Sequence, residues 1–478
     1  MHIIDVVIFM AYLLLMLGVG LYFMRRTSSM EDYYVGGRKM SAGHIGLSVV
    51  ATDVGGGFSI GLGGLGFVMG ISGSWMLFTG LLGAWLSSVL LIPRVHKLSQ
   101  TKGFLTFPDL LKDRFGLRVA LLAGIISFIG YVGFTSSQIL AGAKLATATF
   151  DGLRLEDTVI LMGAVVVLYT VIGGIKAVIY TDTIQWLILI LGLIGIGIPV
   201  SYWKLGGWEA ITSSLPASFL SLQEVELSDA INWLITIVPI WFVGMTLYQR
   251  IYACKDEGTA KKAWRIAGLF EWPAMAFMGV VLGLFARSAH EQGLYSSVGY
   301  TAAQAMDSEL GVPLLLVHVL PVGLLGLMMS AYFSAIMSTA DSCLMAASGN
   351  LVSDILPIRF LKKWNPVRKS QLATLVIGML AIVLSSWMTN VLELMLYSYA
   401  FMVSGLFVPV MGALFSKQPN PIAALLSMLI GGGTTLLLIL WGIPLPGDLD
   451  PNFFGLSASF IVYVGTTQIQ NKITKQNG

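Results

Sequence analysis

Apolar runs of roughly twenty residues, separated by short polar stretches, recur along the whole chain. Each is long enough to cross ~30 Å of hydrocarbon as a helix, the conformation that pairs its own backbone groups where lipid offers no partner. The pattern predicts an all-α integral membrane protein with about thirteen transmembrane helices. They fall near residues 4–24, 42–70, 74–98, 118–149, 157–173, 181–203, 230–249, 263–286, 314–348, 371–388, 391–416, 421–443 and 453–471. No polar interval between them is long enough for a water-soluble domain, so residues 1–478 read as a single transmembrane domain.

Composition agrees with the pattern. Hydrophobic residues make up 56% of the 478 and charged residues 11%, against roughly 25% charged in soluble proteins. Mean hydropathy is +0.81. These values exclude a soluble enzyme and a nucleic-acid binder, and the net charge of +3 is too small to imply an anionic partner. Two cysteines, Cys254 and Cys343, exclude a disulfide framework. Of the 28 Lys and Arg, 24 fall in one set of alternate loops, and only Lys144, Arg154, Lys204 and Arg287 lie elsewhere. Basic residues near helix ends resist translocation, so the segregation predicts a multi-pass protein of the cell membrane with its N-terminus outside and its C-terminus cytoplasmic. The first span, with its positive charges after it, reads as retained.

Two spans carry interruptions. The second holds Ala51-Thr52-Asp53-Val54-Gly55-Gly56-Gly57 at its middle. Each glycine costs a helix ~1 kcal/mol relative to Ala, and freed carbonyls in hydrocarbon must line a cavity or hold an ion. The alternative is that the glycines serve close helix packing; Asp53, an acid at membrane depth that needs a partner, favours a broken helix. The seventh span holds Pro239 and Gly244. Two interrupted helices at corresponding positions of two five-helix units point to an inverted-repeat transporter. The ninth span places Ala335, Ser338, Thr339 and Ser342 on one face by their i, i+3, i+4 spacing, beside Asp341. Hydroxyl and carbonyl oxygens suit a dehydrated alkali cation, and the competing reading is that the hydroxyls bond back to their own helix. Gly61-Leu62-Gly63-Gly64-Leu65-Gly66 matches a dinucleotide-binding pattern but lies inside an apolar helix with no preceding strand. No constellation of acid, base or metal groups suggests catalysis, so the chain is not expected to be an enzyme.

Four segments carry a family likeness. Asp32-Tyr33-Tyr34-Val35-Gly36-Gly37-Arg38, then Tyr169-Thr170-Val171-Ile172-Gly173-Gly174-Ile175-Lys176-Ala177 with Tyr180-Thr181-Asp182, then Gln249-Arg250 before Ala253, and Met337-Ser338-Thr339-Ala340-Asp341-Ser342 occur in that order. Together with the length and the span count they resemble the sodium:solute symporter family, the sodium-coupled carriers of glucose, proline, iodide, pantothenate and sialic acid. The resemblance implies an inverted repeat of five plus five helices with a broken first helix in each. Repeat one would run over about 42–203 and repeat two over about 230–416, with flanking helices near 4–24 and 421–471. It also implies a sodium site formed by the carbonyls of Ala51, Val54 and Ala335 and the hydroxyls of Ser338 and Thr339. A second sodium near Asp182, Asp341 and Ser342 is implied by the sialic acid carriers. Their pattern has a serine where this chain has Asp341, and the competing reading makes Asp182 a helix cap and Asp341 a partner of nearby hydroxyls.

Sugar-carrying relatives have an acid and an amide where this chain has Gly57 and Phe58, which speaks against a polyhydroxylated solute whose hydroxyls would be buried unpaired. The expected solute is a small amino acid or carboxylate, bound near Asp53, Gly56, Gly57, Trp241 and Tyr248. Lys144 matches a basic residue of the proline carriers, although its position near a helix end reads as a side chain reaching for the outer surface. The function expected is symport of a small polar solute with sodium by alternating access; the alternatives are an ion or solute channel, or a transporter-like membrane sensor. The expected partners are the solute, sodium and the lipid bilayer, with no nucleic acid and no obligate protein partner.

Overall fold

The computed structural model describes residues 2–24, 30–53, 55–150, 152–301, 305–356 and 365–476. Among them no β-strand occurs, and the one isolated bridge joins Met40 to Cys254. The long helices are α1 (Ile3–Met24), α2 (Ala42–Asp53), α3 (Gly56–Met69), α4 (Trp75–Leu90) and α5 (Leu117–Thr149). Then come α6 (Leu155–Gly192), α7 (Leu227–Val243), α8 (Met245–Ala253), α9 (Glu257–Leu269) and α10 (Ala276–Glu291). The chain ends with α11 (Leu324–Gly349), α12 (Pro366–Ser385), α13 (Val391–Phe415), α14 (Pro421–Trp441) and α15 (Pro451–Gln476). Seven helical stretches among the described residues are long and apolar enough to cross a bilayer alone, and α7 with α8 makes an eighth that bends by 42°. Leu14, Val89, Leu168, Leu429 and Ile461 point out of the bundle, as side chains do when the surrounding solvent is lipid. The chain is a multi-pass membrane protein.

Local chemistry sets several helix ends. Asn390 accepts from the Glu393 amide and opens α13, and Asn420 accepts from the Ile422 and Ala423 amides and opens α14. Asp5 of α1 reaches further: its Oδ1 accepts from the amides of Gly323 and Gly326, 2.7 Å each, and so caps α11 from a neighbouring helix. α11 is buried along nearly its whole length and packs on α1, α5 and α6, while α3 lies against α10 and α2 against α6 and α9.

The expected second interruption falls at Gly244, whose extended backbone (φ −65°, ψ 114°) separates α7 from α8. Pro239 stays inside α7. Its missing N–H orphans the Ile235 carbonyl, and the Asn452 side chain of α15 donates to that carbonyl at 3.0 Å. Three other expectations change. The junction expected between the spans 157–173 and 181–203 is helical: the pattern runs through α6 and on through a π turn at Leu193–Gly197 into Ile198–Lys204, and Val178–Lys204 is by itself long and apolar enough to cross a bilayer. No proline interrupts residues 155–192 to remove a backbone donor. The 263–286 span is divided by a π turn at Phe270–Met275, in which Trp272 leaves the helical region (φ −137°, ψ 127°). The 314–348 run divides into Gly311–Val319 and α11, with Pro321 and Gly323 between them.

Candidate functional site

The first interruption falls where the glycines are. α2 ends at Asp53, Val54 lies outside the described residues, and α3 starts at Gly56 after an extended Gly55 (φ −63°, ψ −160°). Ending α2 leaves its last carbonyls without intrahelical donors. One of them, Ala51 O, accepts from Thr339 Oγ1 of α11 at 3.1 Å. The approach depends on Gly55, where any Cβ would overlap the Thr339 hydroxyl. Ala335, Ser338 and Thr339 are all buried on α11, and of the five expected ligand positions four are among the described residues. The Ser338 hydroxyl is at present turned to Asp182 Oδ1, 2.5 Å away.

The three residues of the expected second cation site are buried together but held by different partners. Asp182 lies inside α6, not at a helix start, so it does not cap a span. It accepts from Ser48, from Ser338 and from Arg250 Nη2, the last at 3.1 Å. Arg250 is completely buried and also donates to Ser48 (2.9 Å), Thr52 (2.5 Å) and Ser342 (2.8 Å). A guanidinium thus occupies the ground between Asp182 and Ser342. Asp341 turns the other way and accepts from Thr170, and its Oδ2 meets no donor among the described residues.

Around Asp53 the arrangement differs again. Tyr399 of α13 donates to Asp53 Oδ1 at 3.2 Å, and the Glu271 carboxyl, in the π turn between α9 and α10, interacts electrostatically with the same side chain. Gly56 packs so closely that a Cβ would meet Ile336 at 2.5 Å and Ala141 at 2.9 Å; Gly57 is in the first turn of α3. Trp241 and Tyr248 are both buried. The Tyr248 hydroxyl donates to the Phe242 carbonyl (2.9 Å) and its ring meets Phe107, while Trp241 packs on Gly83 and Trp264. No described hydrogen bond or ring contact joins either to Asp53. Lys144 does not reach for the surface: it is buried in α5 and pairs with Asp307 and Glu309, 2.6 Å each. Glu309 in turn accepts from the Val391 and Leu392 amides at the start of α13, so the lysine gains a buried partner that itself sits on a helix N-terminus.

Arg250, Glu271, Tyr399, Ser48, Thr52 and Thr170 were not singled out as site residues from the sequence. Glu271 carried a signal, since an acid in an apolar span beside Pro273 meets the criterion that selected Asp53. Arg250 carried a misleading one: at the end of a span it counts as a loop charge.

The model of the sodium:solute symporter family matches residues 33–431. The high-affinity proline transporter PutP of Bacillus subtilis (strain 168) is 29% identical over 435 residues, covering 88% of this chain and 89% of its own. The sodium/proline symporter of Staphylococcus aureus (strain JH9) is 27% identical over 497 residues, covering 98% and 92%. Among solved structures, a Na+-coupled sialic acid symporter in its substrate-bound, outward-open state superposes with a TM-score of 0.79 at 22% identity, over 98% of each chain, so the two share a fold.

Proposed function

The chain belongs to the sodium:solute symporter family, and on that premise we propose that it carries a compact amino acid, of the size and polarity of proline, into the cell with sodium by alternating access. Sodium is the coupling ion of the family. The observation that carries the reading is the meeting of Ala51 O, at the broken end of α2, with Thr339 Oγ1 on α11. Neutral carbonyl and hydroxyl oxygens replace the hydration shell of an alkali cation. A cation held there ties α2 to α11, and its arrival or departure biases how the two helices sit. Ala51, Val54, Ala335, Ser338 and Thr339 are the proposed ligands, with the Ser338 hydroxyl rotating from Asp182 to the ion. A second sodium at Asp182, Asp341 and Ser342 requires Arg250 to leave Asp182 first, so the two cations compete for one buried acid.

The solute is proposed to bind beside Asp53, Gly56 and Gly57, with Trp241 and Tyr248 as walls of the route. The relatives that carry proline by name support a solute of that class. The proposed arrangement is one transmembrane domain of about thirteen spans, with five-helix repeats over 42–203 and 230–416, N-terminus outside and C-terminus cytoplasmic. The interruptions at Gly55 and Gly244, each near the start of one repeat, fit that arrangement. Moving one positive charge inward through 100 mV releases ~2.3 kcal/mol, roughly a fifty-fold concentration ratio. The test is uptake of a labelled solute panel, L-proline included, into proteoliposomes under an imposed sodium gradient. Uptake that persists unchanged when every cation gradient is collapsed overturns the reading.

A further inference from the structure

We propose that Glu271 binds the protonated nitrogen of the solute together with Asp53, so that the site accepts compact ammonium-bearing solutes and rejects carboxylates of the same shape that lack the nitrogen. The inference rests on the reading above that Asp53 borders the solute. Glu271 is fully buried, and neither of its carboxyl oxygens meets a donor among the described residues. It interacts electrostatically with Asp53, whose Oδ1 takes the Tyr399 hydroxyl and whose Oδ2 has no donor among the described residues. Three buried carboxyl oxygens, one from the end of α2 and two from the π turn, are therefore left without a donor among the described residues.

Two features of the chain hold Glu271 in this position. The π turn at Phe270–Met275, opened by the extended Trp272, places it between α9 and α10 instead of on a regular helix face. Opposite, α4 presents Gly80, where a Cβ would overlap the Glu271 carboxyl. The buried Lys and Arg side chains among the described residues serve other acids: Arg250 is on Asp182, and Lys144 is on Asp307 and Glu309. Two carboxylates in a water-poor interior repel each other unless a cation or a proton stands between them. An ammonium answers both needs at once, supplying positive charge and directed N–H donors, three from a primary amine and two from a secondary one. An apolar or purely anionic solute leaves the pair unserved and, if anionic, adds a third negative charge.

The test is the sodium-dependent thermal stabilisation of the purified full chain by matched pairs: L-proline against cyclopentanecarboxylate, L-alanine against propionate, glycine against acetate. At least one amino acid is expected to stabilise the protein in sodium while its nitrogen-free counterpart does not. Glu271→Gln is expected to raise the half-saturating concentration of that amino acid by about ten-fold or more, as for loss of a charge-assisted hydrogen bond, with the sodium half-saturation for uptake kept within two-fold or so. Gly80→Ala, which displaces the Glu271 carboxyl without removing it, is expected to weaken the same solute. Equal binding of the carboxylates, or an unchanged solute affinity in Glu271→Gln, overturns the ammonium assignment and leaves sodium symport standing; the second result is the one expected if the pair only shares a proton. No sodium-dependent response to any member, together with no sodium-driven uptake, overturns both readings.

Discussion

The buried pair of Arg250 and Asp182 gives the sharpest energetic prediction. Both side chains are wholly buried, 3.1 Å apart, and the guanidinium holds the hydroxyls of Ser48, Thr52 and Ser342 as well. Arg250→Met leaves Asp182 with two hydroxyl donors and no counter-charge; Asp182→Asn leaves a buried guanidinium facing an amide. Removing one partner of such a pair costs about 3–5 kcal/mol, because the surviving charge keeps its desolvation penalty and loses its compensation. Replacing both removes the penalty too and is close to neutral. The double variant Asp182→Asn/Arg250→Met is therefore expected to be more stable than either single variant, with a coupling energy of about 2 kcal/mol or more. The assay is unfolding in mixed detergent micelles, followed by tryptophan fluorescence, for the wild type, both singles and the double. If the double is destabilised by the sum of the singles, the pair carries no mutual energy and the electrostatic reasoning fails.

Three further outcomes are expected. Thr339→Ala and Ser338→Ala should each raise the sodium concentration for half-maximal uptake by about ten-fold, the worth of ~1.4 kcal/mol, in a protein that melts near the wild-type temperature; wild-type sodium dependence in both would remove the sodium assignment. Lys144→Met should lower stability by about 3 kcal/mol or more, since Glu309 is buried and keeps only its two amide donors, and Lys144→Met with Glu309→Gln should recover part of it in a melting series. Asp450, in the loop before α15, has its carboxyl pushed up to about 6 by burial and by the nearby Asp229. The folded state then binds more protons than the unfolded one between pH ~4 and ~6, so stability falls as pH rises through that window; Asp450→Asn should flatten that part of the pH–melting profile, and an unchanged slope would exclude the effect.

Much of the protein is legible in its sequence. The helical class follows from run length alone; the first interruption follows from three glycines beside an acid, and the second from Pro239 and Gly244 in one span. Both breaks are found, at Gly55 and at Gly244. The hydroxyl face of α11 was visible because helical spacing fixes which residues share a side. Pro239 was a weaker guide: its effect depends on whether another helix serves the carbonyl it orphans, and Asn452, more than two hundred residues away, does so.

What the chain determines by itself is everything carried by local order: membrane embedding, helix content, likeness to a family of sodium carriers, and which oxygens lie along one helix face. Tertiary structure alone decided the partners. Arg250 looked like a loop charge and is the counter-ion of Asp182; Lys144 looked like a side chain reaching for water and is paired with Glu309; Glu271 drew attention only as an acid in an apolar span, and packing makes Asp53 its neighbour in charge. The physical reason is the same in each case. A charge in a medium of low dielectric is governed by the nearest opposite charge or donor, and which group comes nearest is set by the packing of helices far apart in sequence.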